Sequence, residues 1–475
     1  MDLSVTPPPD IVLLAAPGPT RWAQEARDTF RLAWPLVIAQ LAQIALFTTD
    51  VVMMGWLGPI FLGAGTLAVV FFHPFLLFGI GIISAVTPLV AQARGGGDLI
   101  SVRRSVRQGF WVAIGVAALM IPLIWHIGPI FELLGQTRDV SRLAGDYARA
   151  AAWMFLPGLG LIVLRALLST HDDTKIFLVV TLGGIVLNAA CNYALMFGNW
   201  GFPRLELTGA GISTSIVNAV MFAALLAYIL SRPAYRRYTL FVRFWKPDWP
   251  RMWRILRLGT PIGLLMMAEV GLFSVAGLLM GWLGTDELAA HAIALQLAAI
   301  AFMVPMGLSH AATVRVGLAY GARNAEGIRK AGWVSLFLGT GFMALTAAIF
   351  WFFPEPLIAL FLDPALPQNQ IPFALAVSYL GIAAMFQLAD GAQVVSAAIL
   401  RGLSDTAVPM IIGIAGYWGI GLGLAYTLGF IFELRGIGIW IGLAAGLAAV
   451  AITLSARFVL RGRLGLGLGS REIHD

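Results

Sequence analysis

The 475-residue sequence has little charge and almost no cysteine. Only 12% of its residues are Asp, Glu, Lys or Arg, whereas soluble proteins carry roughly 25%, and 59% of its residues are apolar. Its single cysteine, Cys191, excludes a disulfide framework and any metal site built on several thiolates. The composition therefore excludes a water-soluble globular domain and predicts a polytopic membrane protein.

The sequence also lacks the motifs of nucleotide-driven and hydrolytic chemistry. Neither Gly-x-x-x-x-Gly-Lys-Ser/Thr nor Gly-x-Ser-x-Gly occurs. The six histidines form no cluster with the i, i+4 spacing of a metal site. We therefore predict that the protein is not an enzyme, has no cofactor and holds no resident metal. Energy for an active process must then come from an ion gradient or a partner.

Apolar runs long enough to cross a bilayer recur along the chain. A hydrocarbon core about 30 Å thick needs about 20 apolar residues per helix, and twelve such runs lie between residues 30 and 458. The predicted fold is an all-α polytopic membrane protein with twelve transmembrane helices. The second run is long and contains Pro74 and Pro88, which predicts bends there.

Basic residues are distributed unevenly across the loops. With twelve spans, all but five of the 31 Lys and Arg residues lie on the side that also holds both termini, and the exceptions are Arg138, Arg142, Arg149, Arg204 and Arg435. Because Lys and Arg collect on the cytoplasmic side, both termini are predicted to be cytoplasmic. The net charge of +7 then reflects topology, and no nucleic-acid partner is expected.

The two halves of the chain are related by an internal repeat. The five residues Met54–Gly58 recur letter for letter as Met280–Gly284, and the same offset places Pro35 on Pro261. Six spans per copy is an even number, so both copies insert in the same orientation and are related by a pseudo-twofold axis along the membrane normal. The predicted domains are a cytoplasmic N-terminal tail (1–25), an N-lobe of six helices (26–231), a basic cytoplasmic linker (232–256), a C-lobe of six helices (257–460) and a cytoplasmic C-terminal tail (461–475).

Three carboxylates lie inside apolar runs, namely Asp50, Glu269 and Asp390. A charged side chain at a helix centre costs about 2.5 to 3.5 kcal/mol on insertion scales, and such residues face a polar interior and mark ion or proton paths. Glu269 and Asp390 lie on separate helices of the C-half, where two carboxylates can share or exchange a proton. These three acids are the principal candidates for ion coupling.

Two amides accompany the N-half acid. Asn188 and Asn192 are four residues apart in span 5, so their side chains emerge on one face of a helix. With Asp50 and the hydroxyl of Thr214 they are predicted to form an oxygen site for a cation or a proton-linked hydrogen-bond network. The alternative is that the amides only hold helices together, and the residues alone leave both interpretations open.

Short motifs distributed along the chain resemble those of one transporter family. They are Arg257-Leu-Gly-Thr-Pro261, Ala268-Glu269-Val270, Ala289-Ala-His291, Arg315-Val-Gly317, Asp390-Gly-Ala-Gln-Val-Val395, Leu400-Arg401-Gly402 and Asp405. Together with Asp50 and the Asn188/Asn192 pair, they resemble the NorM-type branch of the MATE (multidrug and toxic compound extrusion) transporters. The resemblance covers about residues 25 to 460.

This resemblance implies a function in multidrug efflux. MATE transporters are antiporters of the bacterial inner membrane that export organic, often cationic and aromatic, compounds in exchange for Na⁺ or H⁺ by alternating access. The expected partners are small-molecule drugs or toxins and membrane lipid. We expect a monomer, with Na⁺ or H⁺ as the coupling ion and no cofactor.

The resemblance also assigns site residues. It places Asp50, Asn188, Asn192 and Thr214 in an N-lobe cation-coupling site, and Glu269 and Asp390 in a C-lobe site. The sequence departs from the family pattern at two positions: Ala292 stands where Gln is usual, and Phe386 stands where some sodium-coupled members have Tyr. The second departure weakens the case for sodium binding in the C-lobe.

Other functions fit less well. A lipid-linked oligosaccharide or peptidoglycan-precursor flippase of the same broad superfamily is the main alternative, but such proteins line the cavity with cationic side chains, and here acids outnumber bases in mid-span. A major facilitator would need a Gly-x-x-x-Asp-Arg-x-Gly-Arg loop after span 2, which is missing. A membrane enzyme or receptor scaffold would need a catalytic cluster or a large soluble module, and the sequence has neither.

Overall fold

A computed structural model describes residues 21–466, and within this range the chain is helical and contains no strand. Twelve of the helices in this part of the chain are long and apolar enough to cross a membrane, which confirms the predicted fold class. They are α1 (Trp22–Leu57), α2 (Pro59–Gly95), α3 (Leu99–Trp125), α4 (Arg138–Thr170), α5 (Thr174–Phe197), α6 (Glu206–Ser231), α7 (Trp249–Leu283), α8 (Thr285–Gly321), α9 (Ala325–Phe352), α10 (Pro367–Gly402), α11 (Ala407–Ile431) and α12 (Arg435–Gly462).

The helices form two bundles with separate hydrophobic cores. One core is built mainly from α1 to α6, which we call the N-lobe, and the other from α7 to α12, the C-lobe. The start of α1 is an exception, because Leu32 and Ala33 pack into the C-lobe core. The first helix therefore ties the two lobes together.

Several loops and helix ends meet at one end of the molecule. This basic end comprises the start of α1 and the loops at 96–98, 171–173, 232–248, 322–324 and 403–406. Its parts are joined by hydrogen bonds, including Arg103 to Thr239 at 3.0 Å and the Gln92 amide to the Gly402 carbonyl oxygen at 2.8 Å. The remaining loops lie at the opposite end.

Two helix ends differ from the predicted boundaries. The first helix begins at Trp22, inside the predicted tail 1–25, and Glu25 is buried in an ion pair with Arg315 at 2.6 Å. Helix α7 begins at Trp249, inside the predicted linker 232–256, with the Asp248 carboxylate accepting from the backbone of Arg251. A search for apolar runs does not detect a polar first turn, so the starts of both helices are predicted too late in the sequence. Residues 1–20 of the predicted N-terminal tail and residues 467–475 of the C-terminal tail lie outside the described residues.

The linker packs against the N-lobe. Trp111 of α3 donates to the Phe244 carbonyl oxygen at 2.9 Å. The His171 Nδ1–H donates to the Leu167 carbonyl oxygen at 2.8 Å, so its Nε2 accepts from the Tyr238 hydroxyl at 2.7 Å. Burial and the nearby Arg94 lower the pKa of His171 to about 4. A neutral His171 therefore links the linker to the loop between α4 and α5.

Helix irregularities occur where the sequence contains Pro or Gly. Helix α2 breaks at Ala85, because Pro88 has no N–H to donate to the Ser84 carbonyl oxygen, whereas Pro74 lies within a continuous helix. Helix α11 contains two π-helical segments, Ala415–Gly421 and Thr427–Ile431. Beside it, a Cβ at Gly442 of α12 would lie 2.2 Å from the Ala425 nitrogen, so only glycine permits this approach.

Candidate functional site

The N-lobe candidates come together around one carboxylate. The Asp50 Oδ1 atom accepts from the Asn188 amide at 3.0 Å and from the Asn192 amide at 2.7 Å. The Thr214 hydroxyl lies 3.5 Å from Asp50 Oδ2. Both asparagine side chains are buried. Helices α1, α5 and α6 therefore contribute one compact polar site inside the N-lobe, the Asp50 site.

The periodicity of the α-helix places the amide groups of Asn188 and Asn192 side by side. Asn188 and Asn192 lie one turn apart on α5, so both amides reach the same oxygen. The single Thr214 proton also points toward the Ala210 carbonyl oxygen at 3.0 Å, so its donation to Asp50 competes with a bond within its own helix. The buried Oδ1 of Asn192 has no protein hydrogen-bond partner among the described residues. It is a free oxygen ligand beside the carboxylate.

The C-lobe candidates are joined through a residue that the sequence did not single out. The Gln393 amide donates to Glu269 Oε1 at 2.7 Å and lies 3.4 Å from Asp390 Oδ1. Its own oxygen accepts from the Tyr417 hydroxyl at 2.7 Å. Asp390 and Gln393 are buried, with exposures of 4% and 1%. Helices α7, α10 and α11 thus form a second polar site, the Glu269–Asp390 site.

The C-lobe arrangement brings two acidic side chains to a single hydrogen-bond donor. Two carboxylates share one amide group, and Arg401 acts on Glu269 only through a longer-range electrostatic interaction. Carboxylates this close, when both ionised, repel each other, and a proton or a cation between them relieves the repulsion. The site is therefore suited to binding a positive charge.

Phe386 supplies no ligand atom to this region. Its ring packs edge-on against Phe273 at 5.9 Å and against Trp440 at 5.8 Å. Phe386 is thus part of an aromatic cluster. That Phe386 weakens the case for sodium binding in the C-lobe stays a prediction.

Gln393 and Tyr417 are the residues that the sequence reasoning missed. Gln393 follows Asp390 by three positions, which places both on one face of α10. That spacing is a signal that sequence alone offers. Tyr417 carries no such signal, because it lies on another helix and joins the site only through the hydrogen bond of its hydroxyl to Gln393.

The lobes approach most closely in the half of the molecule nearer the basic end. A Cβ at Gly81 of α2 would lie 2.2 Å from the Cα atom of Gly263 in α7, so the two backbones touch there. The Gln92 amide adds a hydrogen bond to the Ser404 hydroxyl at 2.9 Å. Toward the opposite end lies a cavity of about 450 Å³. It is lined by eight residues of the N-lobe, together with Met267 of the C-lobe, and the N-lobe residues are Leu67, Val70, Phe71, Pro74, Phe75, Phe131, Leu134 and Gln136.

Comparison with known proteins identifies the family. The MatE family model matches residues 35–194 and 261–427, two stretches that begin at the repeated Pro35 and Pro261. A probable multidrug resistance protein NorM of Mesorhizobium japonicum is 46% identical over 93% of this chain and 95% of its own length. A protein of the same name from Pseudomonas aeruginosa is 40% identical over 91% of this chain and 89% of its own.

Solved structures agree on the fold. A mutant of a MATE transporter of Vibrio cholerae superposes with a TM-score of 0.83 at 18% identity, over 93% of this chain and 98% of the other. Twelve apolar helices and bacterial relatives of this length make the protein a multi-pass membrane protein. The resemblance drawn from its motifs is confirmed: the chain belongs to the MatE family of transporters.

Proposed function

We propose that this protein is a multidrug efflux antiporter that exports organic compounds in exchange for Na⁺ or H⁺ by alternating access. The observation that carries the proposal is the pair of carboxylate sites inside the helix bundles, one in each lobe, around the half-buried Asp50 and around the half-buried Glu269 and the buried Asp390. Relatives at 46% and 45% identity bear the name of multidrug resistance proteins, which supports drugs or toxins as the cargo.

The distribution of basic residues supports an orientation in the membrane. The loops of the basic end carry most of the Lys and Arg residues, so this end faces the cytoplasm together with both termini. The membrane is the bacterial inner membrane, and the protein works there as a monomer. The opposite end, with the cavity between the lobes, then faces outward.

The inter-lobe contacts support an outward-facing arrangement. The backbone contact of Gly81 with Gly263 and the bonds from Gln92 to Gly402 and Ser404 close the cytoplasmic side. The cavity toward the opposite end is lined mainly by apolar and aromatic side chains, which suits aromatic drugs. Rocking of the lobes about the midplane would close this cavity and open the cytoplasmic side.

Coupling needs only a difference in cation affinity between the two states. A proton or Na⁺ that enters from outside neutralises the carboxylates, which favours the state that binds drug poorly, and the drug leaves outward. The carboxylates then release the cation to the cytoplasm in the inward-facing state. The aromatic and often cationic cargo competes with the coupling ion for the same negative charge.

Dye efflux from proteoliposomes tests this function. The full-length protein is reconstituted, the vesicles are loaded with ethidium, and a Na⁺ gradient and a pH gradient are imposed in separate experiments. At least one gradient should drive export, which Asp50→Asn should abolish and Glu269→Gln should slow by a factor of about 5 to 150. Export driven by neither gradient would contradict the proposal and favour the flippase alternative, whereas normal export by both variants would contradict the site assignment.

A further inference from the structure

Five polar side chains in the C-lobe have buried polar atoms with no protein hydrogen-bond partner in the described part of the chain, and one of them is Ser335 of α9. The other four are His291 of α8, Tyr379 and Gln387 of α10, and Trp440 of α12. Each of these four is at most 2% exposed. Both ring nitrogens of His291 and both amide atoms of Gln387 are unpartnered. Because burying a polar group without a partner costs free energy, five such groups in one lobe call for an explanation.

Tyr379, His291 and Trp440 lie near an ion pair at the end of the molecule opposite the basic end. Glu287 Oε1 accepts from Arg435 Nε at 3.0 Å, and Tyr379 lies within electrostatic reach of both groups. His291 follows Glu287 by one turn of α8, and its ring centroid lies 5.4 Å from that of Trp440. Tyr379 therefore lies near the ion pair, and His291 and Trp440 lie side by side about one helical turn further along α8 and α12.

Gln387 lies closer to the Glu269–Asp390 site than the other three residues do along the chain. The Trp440 ring lies 5.8 Å from Phe386, and Gln387 is the next residue along α10. Gln387 precedes Asp390 by one helical turn. With a rise of about 1.5 Å per residue, the eleven residues from Tyr379 to Asp390 span about 16 Å. Since α8, α10 and α12 all run away from the opposite end, their side chains tilt back toward it, and the polar groups form a descending series. We call His291, Tyr379, Gln387 and Trp440 the polar ladder.

The hydrogen-bond donors and acceptors of the polar ladder determine which kind of ligand can bind there. The Trp440 indole can only donate a hydrogen bond, while the Gln387 oxygen can only accept one. His291 and Tyr379 can do both. A bare metal cation has no acceptor for the indole N–H, and an anion has no donor for the amide oxygen. Water donates and accepts, and buried waters commonly satisfy two to four polar groups.

We propose that the polar ladder binds a chain of water molecules and conducts protons between the outer surface and the Glu269–Asp390 site. This proposal rests on the antiport function proposed above. In each transfer, one O–H bond of a protonated water breaks as an O–H bond to the next water forms. The last transfer forms an O–H bond on a carboxylate oxygen of Asp390 or Glu269. The charged and titratable groups along the route are Glu287 and Arg435 at its outer end, His291 and Tyr379 within it, and Asp390, Glu269, Tyr417 and Arg401 at its inner end.

Radiolytic footprinting tests for bound water directly. Synchrotron X-rays generate hydroxyl radicals from water beside a side chain, so a buried residue is oxidised only where water is bound. In the full-length protein in detergent, Trp440 and Tyr379 should be oxidised despite their burial, as exposed Trp282 is, and fully buried Phe155 of the N-lobe should not. Protection of Trp440 and Tyr379 at a dose that oxidises Trp282 would overturn the proposal.

Transport by ladder variants tests proton conduction. Gln387→Leu and His291→Phe remove polar atoms and leave Asp50, Glu269 and Asp390 unchanged. In proteoliposomes, export of ethidium driven by a pH gradient should slow several-fold in both variants, while ethidium binding at equilibrium stays as in the wild type. Ser335→Ala is the matched control, because Ser335 of α9 is equally buried and unpartnered but lies outside the ladder. Its rate should match the wild type.

The outcomes separate this proposal from the function on which it rests. Wild-type export that responds to neither gradient contradicts the antiport function itself. Wild-type export that responds to Na⁺ alone, or Gln387→Leu and His291→Phe rates equal to the wild-type rate, overturns the proton route and leaves antiport standing. Should Gln387→Leu fail to fold, Gln387→Met replaces it with a flexible apolar side chain of similar length.

Discussion

The two lobes share an ancestral repeat, yet their carboxylate sites are balanced differently. In the N-lobe one carboxylate, Asp50, receives hydrogen bonds from two amides. In the C-lobe two carboxylates, Glu269 and Asp390, share the amide of Gln393. The N-lobe site thus has two amide donors for one carboxylate, whereas the C-lobe site has one amide donor for two carboxylates. The difference indicates that the two sites do different work.

Aligning the two halves of the sequence by the offset of their internal repeat shows how the two sites diverged. The position equivalent to Glu269 in the N-half is Gln43, and the position equivalent to Asp50 in the C-half is Ala276. The acids therefore occupy different depths on α1 and α7. We infer that duplication supplied the scaffold and that each lobe acquired its polar site separately.

Neutralising the N-lobe carboxylate should have the largest effect. In Asp50→Asn, the new amide oxygen still accepts from Asn188 and Asn192, so the fold is kept, but the side chain can no longer take up a proton or carry charge. We expect ethidium export in proteoliposomes to fall to the leak of protein-free vesicles. Glu355→Gln, which removes an exposed carboxylate outside both sites, is the control and should export normally. Substantial export by Asp50→Asn would remove the N-lobe from the coupling mechanism.

The C-lobe acids should behave as one unit. Glu269→Gln and Asp390→Asn are each expected to slow gradient-driven export by a factor within the range of about 5 to 150 that is typical of coupling between sites. Because the two carboxylates share one positive charge, the double variant should be no slower than the slower single variant. Initial export rates of all three proteins check this. Multiplying effects would show that the acids act independently.

Loss of the shared donor should affect stability. In Gln393→Leu, two carboxylates and the Tyr417 hydroxyl lose their partner, which should lower the free energy of unfolding by about 1 to 3 kcal/mol. The thermal midpoint of the protein in detergent measures the change. Gln370→Leu, at an exposed position at the start of the same helix, is the control. Equal midpoints for Gln393→Leu and the wild type would mean that the amide does not hold the site together.

Removing one of the Asp50 donors should have the smallest effect. Asn192→Ala loses the shorter of the two amide bonds and should slow export roughly fivefold, the equivalent of about 1 kcal/mol. Asn188→Ala loses the longer bond and should cost less. Cys191→Ala, beside Asn192 on the same helix, controls for changes in packing. The reverse order, with Asn188→Ala slower than Asn192→Ala, would contradict the geometry of the site.

Much of the architecture follows from the sequence because a membrane restricts the possible folds. Apolar length fixes where helices can cross, which is why the twelve runs and the twelve helices agree. Polar turns such as Trp22 to Glu25 and Trp249 to Met252 carry no such signal, so α1 and α7 begin earlier than predicted. Likewise, Pro88 and Pro74 look alike in sequence, but only the helix at Pro88 is interrupted.

The candidate site was predictable only within each helix. The i, i+4 pair Asn188 and Asn192 and the intramembrane acid Asp50 stand out in the sequence, and the structure brings them together. Contacts between helices could not be predicted, because the periodicity of a helix shows which side chains share a face but not which other helix packs against that face. The bridging of Glu269 and Asp390 by Gln393, and the support from Tyr417, depend on such contacts.

Countertransport of the cation is the most direct test of the central claim, that the intramembrane carboxylates of both lobes couple drug export to cation entry. Ethidium is loaded into proteoliposomes without any imposed ion gradient, and uptake of H⁺ or Na⁺ is recorded as the dye leaves. We predict that dye export through the wild-type protein drives uptake of one of these cations, that Asp50→Asn shows no uptake, and that uptake by the Glu269→Gln/Asp390→Asn double variant is slowed as much as its export. Dye export by the wild type without cation uptake, or undiminished uptake in both variants, would contradict the account.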